Sequence, residues 1–265
     1  WLRIQPPLRA ASTLPRTVPP AAPAYLTVRH LSFTYPGSDV PIFQDLSFSA
    51  RPGDIIGITG PVASGKSTLG LAFLCENPHG GQILFGTQEL GNGHTSPKGI
   101  AGYCGHDAEL FAGTIEENIR LGKGGDIIPV LNAVCMDQDC ASFPDGIRTL
   151  IGEGGQRLSG GQQARIALAR TLFHPRPLLI LDDPFAAVDM ATERAIYSHL
   201  RRDCKDRIIL LISHRLTLFP MLDQIIWLNG DGSSIAATHE ELYVSCHAYR
   251  KLYDLQHAQG GGSHG

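Results

Sequence analysis

Gly60-Pro61-Val62-Ala63-Ser64-Gly65-Lys66-Ser67 is a complete G-x-x-x-x-G-K-[ST] sequence, the pattern of a loop that wraps a phosphate chain. The five residues before it, Ile55-Ile56-Gly57-Ile58-Thr59, are a compact apolar run of strand length, and Lys66 to Cys75 has the composition of a helix. Strand, glycine loop and helix in that order are the setting such a loop requires. In it, backbone N–H groups turn inward around the phosphates and the helix N-terminus favours negative charge. Gly60 and Gly65 permit the backbone angles and the close approach. Lys66 is placed to reach the β- and γ-phosphates, and the Ser67 hydroxyl to ligate Mg²⁺.

Roughly a hundred residues downstream stands Leu158-Ser159-Gly160-Gly161-Gln162, followed by Leu178-Leu179-Ile180-Leu181-Asp182-Asp183. Asp182 ends an apolar strand, as the second magnesium-organising carboxylate does in phosphate-loop NTPases. A strand-terminal aspartate is also an ordinary helix cap, and its pairing with the glycine loop favours the metal role. Ser159 and the two glycines at a helix start offer a hydroxyl, free N–H groups and a helix dipole to an anion. One helix end already serves the phosphates, so this second one must approach from the far side of the nucleotide. Taken alone, the pentapeptide would pass for a helix cap followed by flexible glycines.

Around these motifs the pattern alternates. Tyr25 to Phe33 and Ile42 to Phe48 read as half-buried strands, with a turn at Pro52-Gly53. From Thr114 to about Gly155 the periodicity turns helical, which predicts a small helical insert. A long helix from Ser159, strand Leu178 to Leu181, helix Thr192 to Arg202, strands Ile208 to Ile212 and Gln224 to Leu228, and one last helix from His239 to His257 complete an α/β layout.

The composition narrows the function classes. The 265 residues are 43% apolar and 18% charged, ordinary for a globular protein with a sizeable core. A net charge of −3 without a dense Lys/Arg cluster argues against nucleic acid as a partner. No apolar run approaches the roughly 20 residues of a membrane-spanning helix. The six cysteines (Cys75, Cys104, Cys135, Cys140, Cys204, Cys246) have neither C-x-x-C nor zinc spacing, which fits reduced thiols of a cytoplasmic protein. The Pro-rich residues 1–24 read as an extended linker, and 259–265 as a flexible tail of the kind appended to an expressed domain. Both ends lead us to expect a domain cut from a longer polypeptide.

Taken together, the glycine loop, LSGGQ and the Asp182-Asp183 strand end resemble the nucleotide-binding domain of ABC transporters, over about Leu26 to Gln256. The resemblance implies an α/β ATPase fold with a phosphate-loop parallel-sheet core, an antiparallel β subdomain and a helical subdomain inserted at about 107–172, the whole domain covering 25–258. It implies ATP and Mg²⁺ as cofactors. Nucleotide binding falls to Tyr35, Gly60, Ser64, Gly65, Lys66, Ser67 and Thr68, with Tyr35 in Phe33-Thr34-Tyr35-Pro36-Gly37 stacking on adenine; a half-buried strand aromatic is the plainer reading of that residue. Ser67 and Asp182 are the implied metal ligands. His214, in Ile212-Ser213-His214-Arg215, matches the switch histidine that contacts the γ-phosphate. Ser159, Gly160, Gly161 and Gln162 would act on the ATP of an opposing subunit in a head-to-tail dimer, and Asp189 matches the loop through which subunits sense each other.

The segments Phe111 to Ile119, Ile151 to Gln156 and Thr238 to Leu242 resemble exporter-type domains. In those, Glu153 faces the coupling helices of a transmembrane domain, here expected to be fused N-terminally, at the cytoplasmic face of a membrane.

Two positions depart from the family. A catalytic glutamate is usual after the metal-binding aspartate, and here it is Asp183, one methylene shorter. A carboxylate that polarises the attacking water must reach it, and about 1 Å of misplacement can cost on the order of 10²-fold in rate. His106 stands where a glutamine normally touches Mg²⁺ and the water. It is either a poorer metal ligand, since Mg²⁺ prefers oxygen, or a spacer without metal contact. The expectation is slow hydrolysis at this Walker site, with the intact LSGGQ serving a competent partner in a heterodimer. Alternatives are an ATP-holding regulatory module with little hydrolysis, and a soluble ABC ATPase acting on DNA or ribosomes. The short helical insert and the lack of basic character argue against the last.

Overall fold

The computed structural model describes residues 24–74, 79–91, 95–155 and 157–260. Nearly all of the expected linker, most of the expected tail, Cys75 and Gln156 lie outside these, as does the Glu153 side chain.

Three strands that are apolar but for Gly57, Thr59 and Asp182 are buried throughout: β3 (Ile55–Thr59), β9 (Leu178–Asp182) and β10 (Ile208–Ile212). Such runs are what a parallel sheet covered on both faces demands. With β6 (Ala101–Cys104), β11 (Gln224–Leu228) and β12 (Ser234–Ala237) they form a six-stranded sheet in the order β12-β11-β3-β10-β9-β6, parallel except for the antiparallel edge strand β12. A second, antiparallel sheet has the order β2-β1-β4-β5, from β1 (Leu26–Phe33), β2 (Phe43–Ala50), β4 (Gly80–Phe85) and β5 (Gln88–Glu89). The α/β fold expected from the sequence is the fold observed.

Alternation along the central strands sends side chains into two cores. Leu178, Ile180, Leu210 and Ile212 enter one with α1 (Lys66–Ala72) and the antiparallel sheet. Leu179, Leu181, Ile209 and Leu211 enter the other. That second core continues into the helical region: α2 (Ile115–Arg120), α3 (Ile128–Ala133), α4 (Asp137–Ser142) and α5 (Gly160–Phe173) contribute Ile115, Ile119, Leu131, Cys140 and Ile166 to it. Among the described residues the helical insert therefore shares the core of the sheet. It also carries a short antiparallel ladder, β7 (Gly113–Thr114) with β8 (Leu150–Ile151), which the helical periodicity did not reveal.

Two other expectations change. The helix expected over Thr192 to Arg202 is α6 (Met190–Asp203), begun earlier by its Asp189 cap. The single last helix is two, α7 (His239–Ser245) and α8 (His247–Gly260), broken where Cys246 turns extended at ψ 100°. Leu242 before the break and Tyr249 after it are both buried.

Candidate active site

The glycine loop is shaped by its neighbours. Gly65 caps α1 in the left-handed region at φ 91°, and a Cβ there would run into Ile42 Cγ2; a Cβ on Gly60 would meet the Leu228 carbonyl oxygen. Gly70 lets α1 sit close on the sheet, since a Cβ would come 2.6 Å from Ile212 Cδ1. The loop is thus clamped over the C-terminal ends of β3 and β10, where open α/β sheets bind ligands.

Within it, Lys66 Nζ donates to the carbonyls of Gly60 at 3.1 Å and Pro61 at 2.7 Å. Burial pushes its pKa below the ordinary lysine value, opposed by the charges of Asp183 and Asp182. The Ser64 hydroxyl is buried with no hydrogen-bond partner among the described residues. Ser67 Oγ donates to Asp182 Oδ1 at 3.2 Å, joining the two expected metal-binding groups across 115 residues of sequence. Thr68 Oγ1 lies 2.9 Å from the Tyr35 hydroxyl, and the half-exposed Tyr35 ring meets Phe33 edge-on at 4.9 Å.

Asp182 has a further partner that the motifs did not signal. Tyr103, near the end of β6, donates its phenol to Asp182 Oδ2 at 3.0 Å. The strand was not anticipated because Ala101-Gly102-Tyr103-Cys104 is too short and too small in side chain to read as one.

Asp183 sits beside it in the left-handed region at φ 53°, a conformation aspartate tolerates better than most residues. Its Oδ1 accepts from Ser213 Oγ at 3.3 Å, and its Oδ2 lies 2.7 Å from His214 Nδ1 and 3.7 Å from His106 Nδ1. His106 thus turns toward Asp183, while also lining a cavity of about 400 Å³ with Ser67, Tyr103 and Asp182. A smaller cavity of about 220 Å³ lies between His106, Asp183, Ala187 and Gly160.

The LSGGQ residues form the start of α5. Ser159 Oγ accepts from the Gln162 N–H at 3.2 Å and Gln162 Oε1 accepts from the Ser159 N–H at 3.0 Å, a reciprocal capping box. Gln162 Nε2 also donates to Asp139 Oδ1 at 2.7 Å, and Arg165 pairs with the other oxygen of Asp139 at 2.9 Å. A Cβ on Gly161 would stand 2.6 Å from the Ala187 carbonyl oxygen, so the pentapeptide is seated on the turn after Asp183. Asp189 caps α6, accepting from the N–H groups of Ala191 and Thr192 at 3.0 Å; these bonds hold its carboxyl below the usual range. Glu153 lies in a short 3₁₀ turn, Glu153–Gly155, whose backbone alone is described at that residue.

Arg215 was also not anticipated. Its guanidinium donates to the carbonyls of Phe185 and Val188 at 2.7 Å each and lies 3.5 Å from Glu193 Oε2, a carboxylate only 1% exposed. It ties the turn after Asp183 to the residue following His214.

Comparison with known proteins places the chain in a family. The ABC transporter family profile matches residues 43–186. Over 91% of its length the chain is 35% identical to a Bacillus subtilis protein described as a probable multidrug resistance ABC transporter ATP-binding/permease protein. It is 34% identical, over 88% of its length, to an ATP-dependent lipid A-core flippase of Thiobacillus denitrificans. A solved bacterial Atm1-family ABC exporter with ATP bound superposes with a TM-score of 0.83 at 29% identity, covering 92% of this chain and 44% of that one. The chain spans 43% and 42% of the two relatives' own lengths. The chain belongs to the ABC transporter family, as a nucleotide-binding domain homologous to those of exporter-type ATP-binding/permease proteins.

Proposed function

We propose that this domain is the MgATP-driven motor of an exporter, working at the cytoplasmic face of a membrane on a transmembrane domain fused before residue 25. The observation that carries the site assignment is the bonding of Ser67 to Asp182 and of His214 to Asp183, with Lys66 close enough to feel both carboxylates, from segments far apart in sequence. ATP suits the cradle: Lys66 offers a cation, and the Ser64 hydroxyl is buried without a partner among the described residues. Ser67 and Asp182 would hold Mg²⁺, which when bound neutralises phosphate charge. Tyr35 and Thr68 would border the adenine and phosphate ends.

The chain's own residues then divide the work. Lys66 is drawn from the Gly60 and Pro61 carbonyls to the phosphates. Asp183, steadied by Ser213 and His214, orients the attacking water, and His214 meets the terminal phosphate. Ser159 to Gln162 would close on the ATP of a second domain in a head-to-tail dimer, with Asp189 and Glu153 reporting to the partner domains.

Within that role we assign the chain the degenerate-site position of a heterodimer. Support comes from Asp183 being one methylene short and committed to two neighbours, beside an ordered LSGGQ helix start. A regulatory module that holds ATP and barely hydrolyses it is favoured by the same Asp183 and by His106. The test is ATP-induced association of the chain alone, by analytical ultracentrifugation, together with phosphate release. Homodimers with ordinary turnover overturn the degenerate assignment; association without turnover, relieved by a glutamate-bearing partner, supports it over the regulatory module.

A further inference from the structure

We propose that Gln256, on the C-terminal helix α8, is a positioning residue for His214. The inference rests on the reading that His214 meets the terminal phosphate.

The Gln256 amide uses both of its ends on one short turn. Nε2 donates to the His214 carbonyl at 2.7 Å, and Oε1 accepts from the Leu216 N–H at 2.8 Å, across 42 and 40 residues of sequence. Strand β10 ends at Ile212, and the Ser213 N–H still donates to the Ile58 carbonyl of β3 at 3.1 Å. From His214 to Leu216 the backbone has left the sheet; side chains hold the His214 carbonyl and the Arg215 and Leu216 N–H groups, and the Leu216 carbonyl accepts from the Phe219 N–H at 3.1 Å. Two bonds from one planar amide fix both the height and the rotation of this turn, which a single bond would not. On the opposite side the His214 imidazole meets Asp183, and Arg215 reaches to the Phe185 and Val188 carbonyls.

Helix α8 is a rigid mount for this amide. Tyr249 is fully buried edge-on against Trp227 at 5.6 Å, and its hydroxyl meets His239 Nδ1 at 2.8 Å. Leu252 packs on the same core. Gln256 follows Tyr249 by seven residues, two helical turns, and so lies on the same face. Burial of Tyr249 therefore sets where the Gln256 amide stands, and the amide sets where the His214 backbone stands. The catalytic cluster thereby acquires a support from α8, 42 residues further along the sequence than His214.

The test reads ATP against ADP affinity of the chain with Mg²⁺ by calorimetry, because a histidine facing the terminal phosphate distinguishes the two without requiring turnover. Gln256→Ala is expected to lower the preference for ATP about threefold to tenfold, the worth of one or two hydrogen bonds, with ADP affinity unchanged. Gln256→Glu keeps an acceptor for Leu216 but sets a second acceptor against the His214 carbonyl, and should lose preference in the same direction; it decides the matter if Gln256→Ala fails to fold. In a His214→Ala background, Gln256→Ala should add nothing. Tyr243→Phe, which removes a 2.9 Å bond to Asp254 in the same helix pair, should leave the preference intact. The proposal is overturned by an unchanged preference in the folded Gln256 variants, by an equal loss in the His214→Ala background, or by an equal loss in Tyr243→Phe. A wild-type chain with no preference, or a His214→Ala chain that keeps it, removes the reading of His214 itself, and that outcome is visible without any Gln256 variant.

Discussion

Nδ1 of His214 stands 2.7 Å from Oδ2 of Asp183, so the end of β10 and the end of β9 are joined at the residues expected to act on the terminal phosphate and the water. One carboxylate oxygen is engaged by His214 and the other by Ser213. A carboxylate held on both oxygens is well oriented, but a short side chain so held cannot extend toward a substrate. On the proposed degenerate-site reading, reach rather than order is what the aspartate would lack.

Lengthening that reach should therefore restore turnover. We expect Asp183→Glu to raise steady-state phosphate release from MgATP at least tenfold at high protein concentration, because about 1 Å of misplacement is worth up to 10²-fold. Some stability should be lost, since glutamate tolerates the left-handed backbone at φ 53° less well than aspartate. A wild-type chain that already turns over briskly and gains under twofold would show that the aspartate suffices.

Tyr103 should matter through Asp182. Removing its hydroxyl in Tyr103→Phe deletes a 3.0 Å bond to Oδ2 while keeping the ring. Hydrogen bonds to charged groups are worth about 1.5–3 kcal/mol. A titration of ATP affinity against Mg²⁺ should shift to higher metal concentration, while affinity measured in chelator stays the same. Equal weakening with and without metal would point to a general loosening of the site.

The two glycines of LSGGQ should respond differently to alanine. On Gly161 a Cβ would meet the Ala187 carbonyl at 2.6 Å, whereas on Gly160 it would touch only Ala187 Cβ at 3.4 Å. Overpacking costs about 1–3 kcal/mol, more than the ~1 kcal/mol that alanine gains over glycine within a helix. Thermal unfolding should thus drop by roughly 2–8 °C for Gly161→Ala, and hold or rise for Gly160→Ala. The reverse order would mean that the turn after Asp183 yields easily.

Arg215→Met should leave the Glu193 carboxylate buried without its cation, at a cost of about 3–5 kcal/mol. Burial already raises the pKa of Glu193, and Arg215 opposes that rise. A folded-state pKa above the unfolded value stabilises at low pH, and that stability is lost as pH climbs through the folded value. Without Arg215 the folded pKa moves further up, so denaturant unfolding should show a larger deficit at pH 8 than at pH 5. Adding Glu193→Gln should recover part of it at pH 8. A deficit independent of pH would assign the effect to the lost carbonyl contacts at Phe185 and Val188 alone.

The amino-acid sequence by itself determined the parallel core and its nucleotide loop. Ile55–Thr59, Leu178–Asp182 and Ile208–Ile212 are apolar at every position but their ends and glycine, and only a sheet covered on both faces buries such runs. Gly60, Gly65 and Gly161 were legible as well, because a glycine is forced where no Cβ fits. Local spacing carries those signals. Tertiary structure alone decided what surrounds the motifs. Tyr103 meets Asp182 across 79 residues, Arg215 meets Phe185 across 30, and Gln256 meets His214 across 42. It also decided the break at Cys246, the strand β4, and the edge strands β5, β6 and β12, whose pairing rests on a neighbour rather than on their own pattern. A hydrogen bond between distant side chains leaves no period in the sequence; it exists only once packing has brought its two ends within about 3 Å.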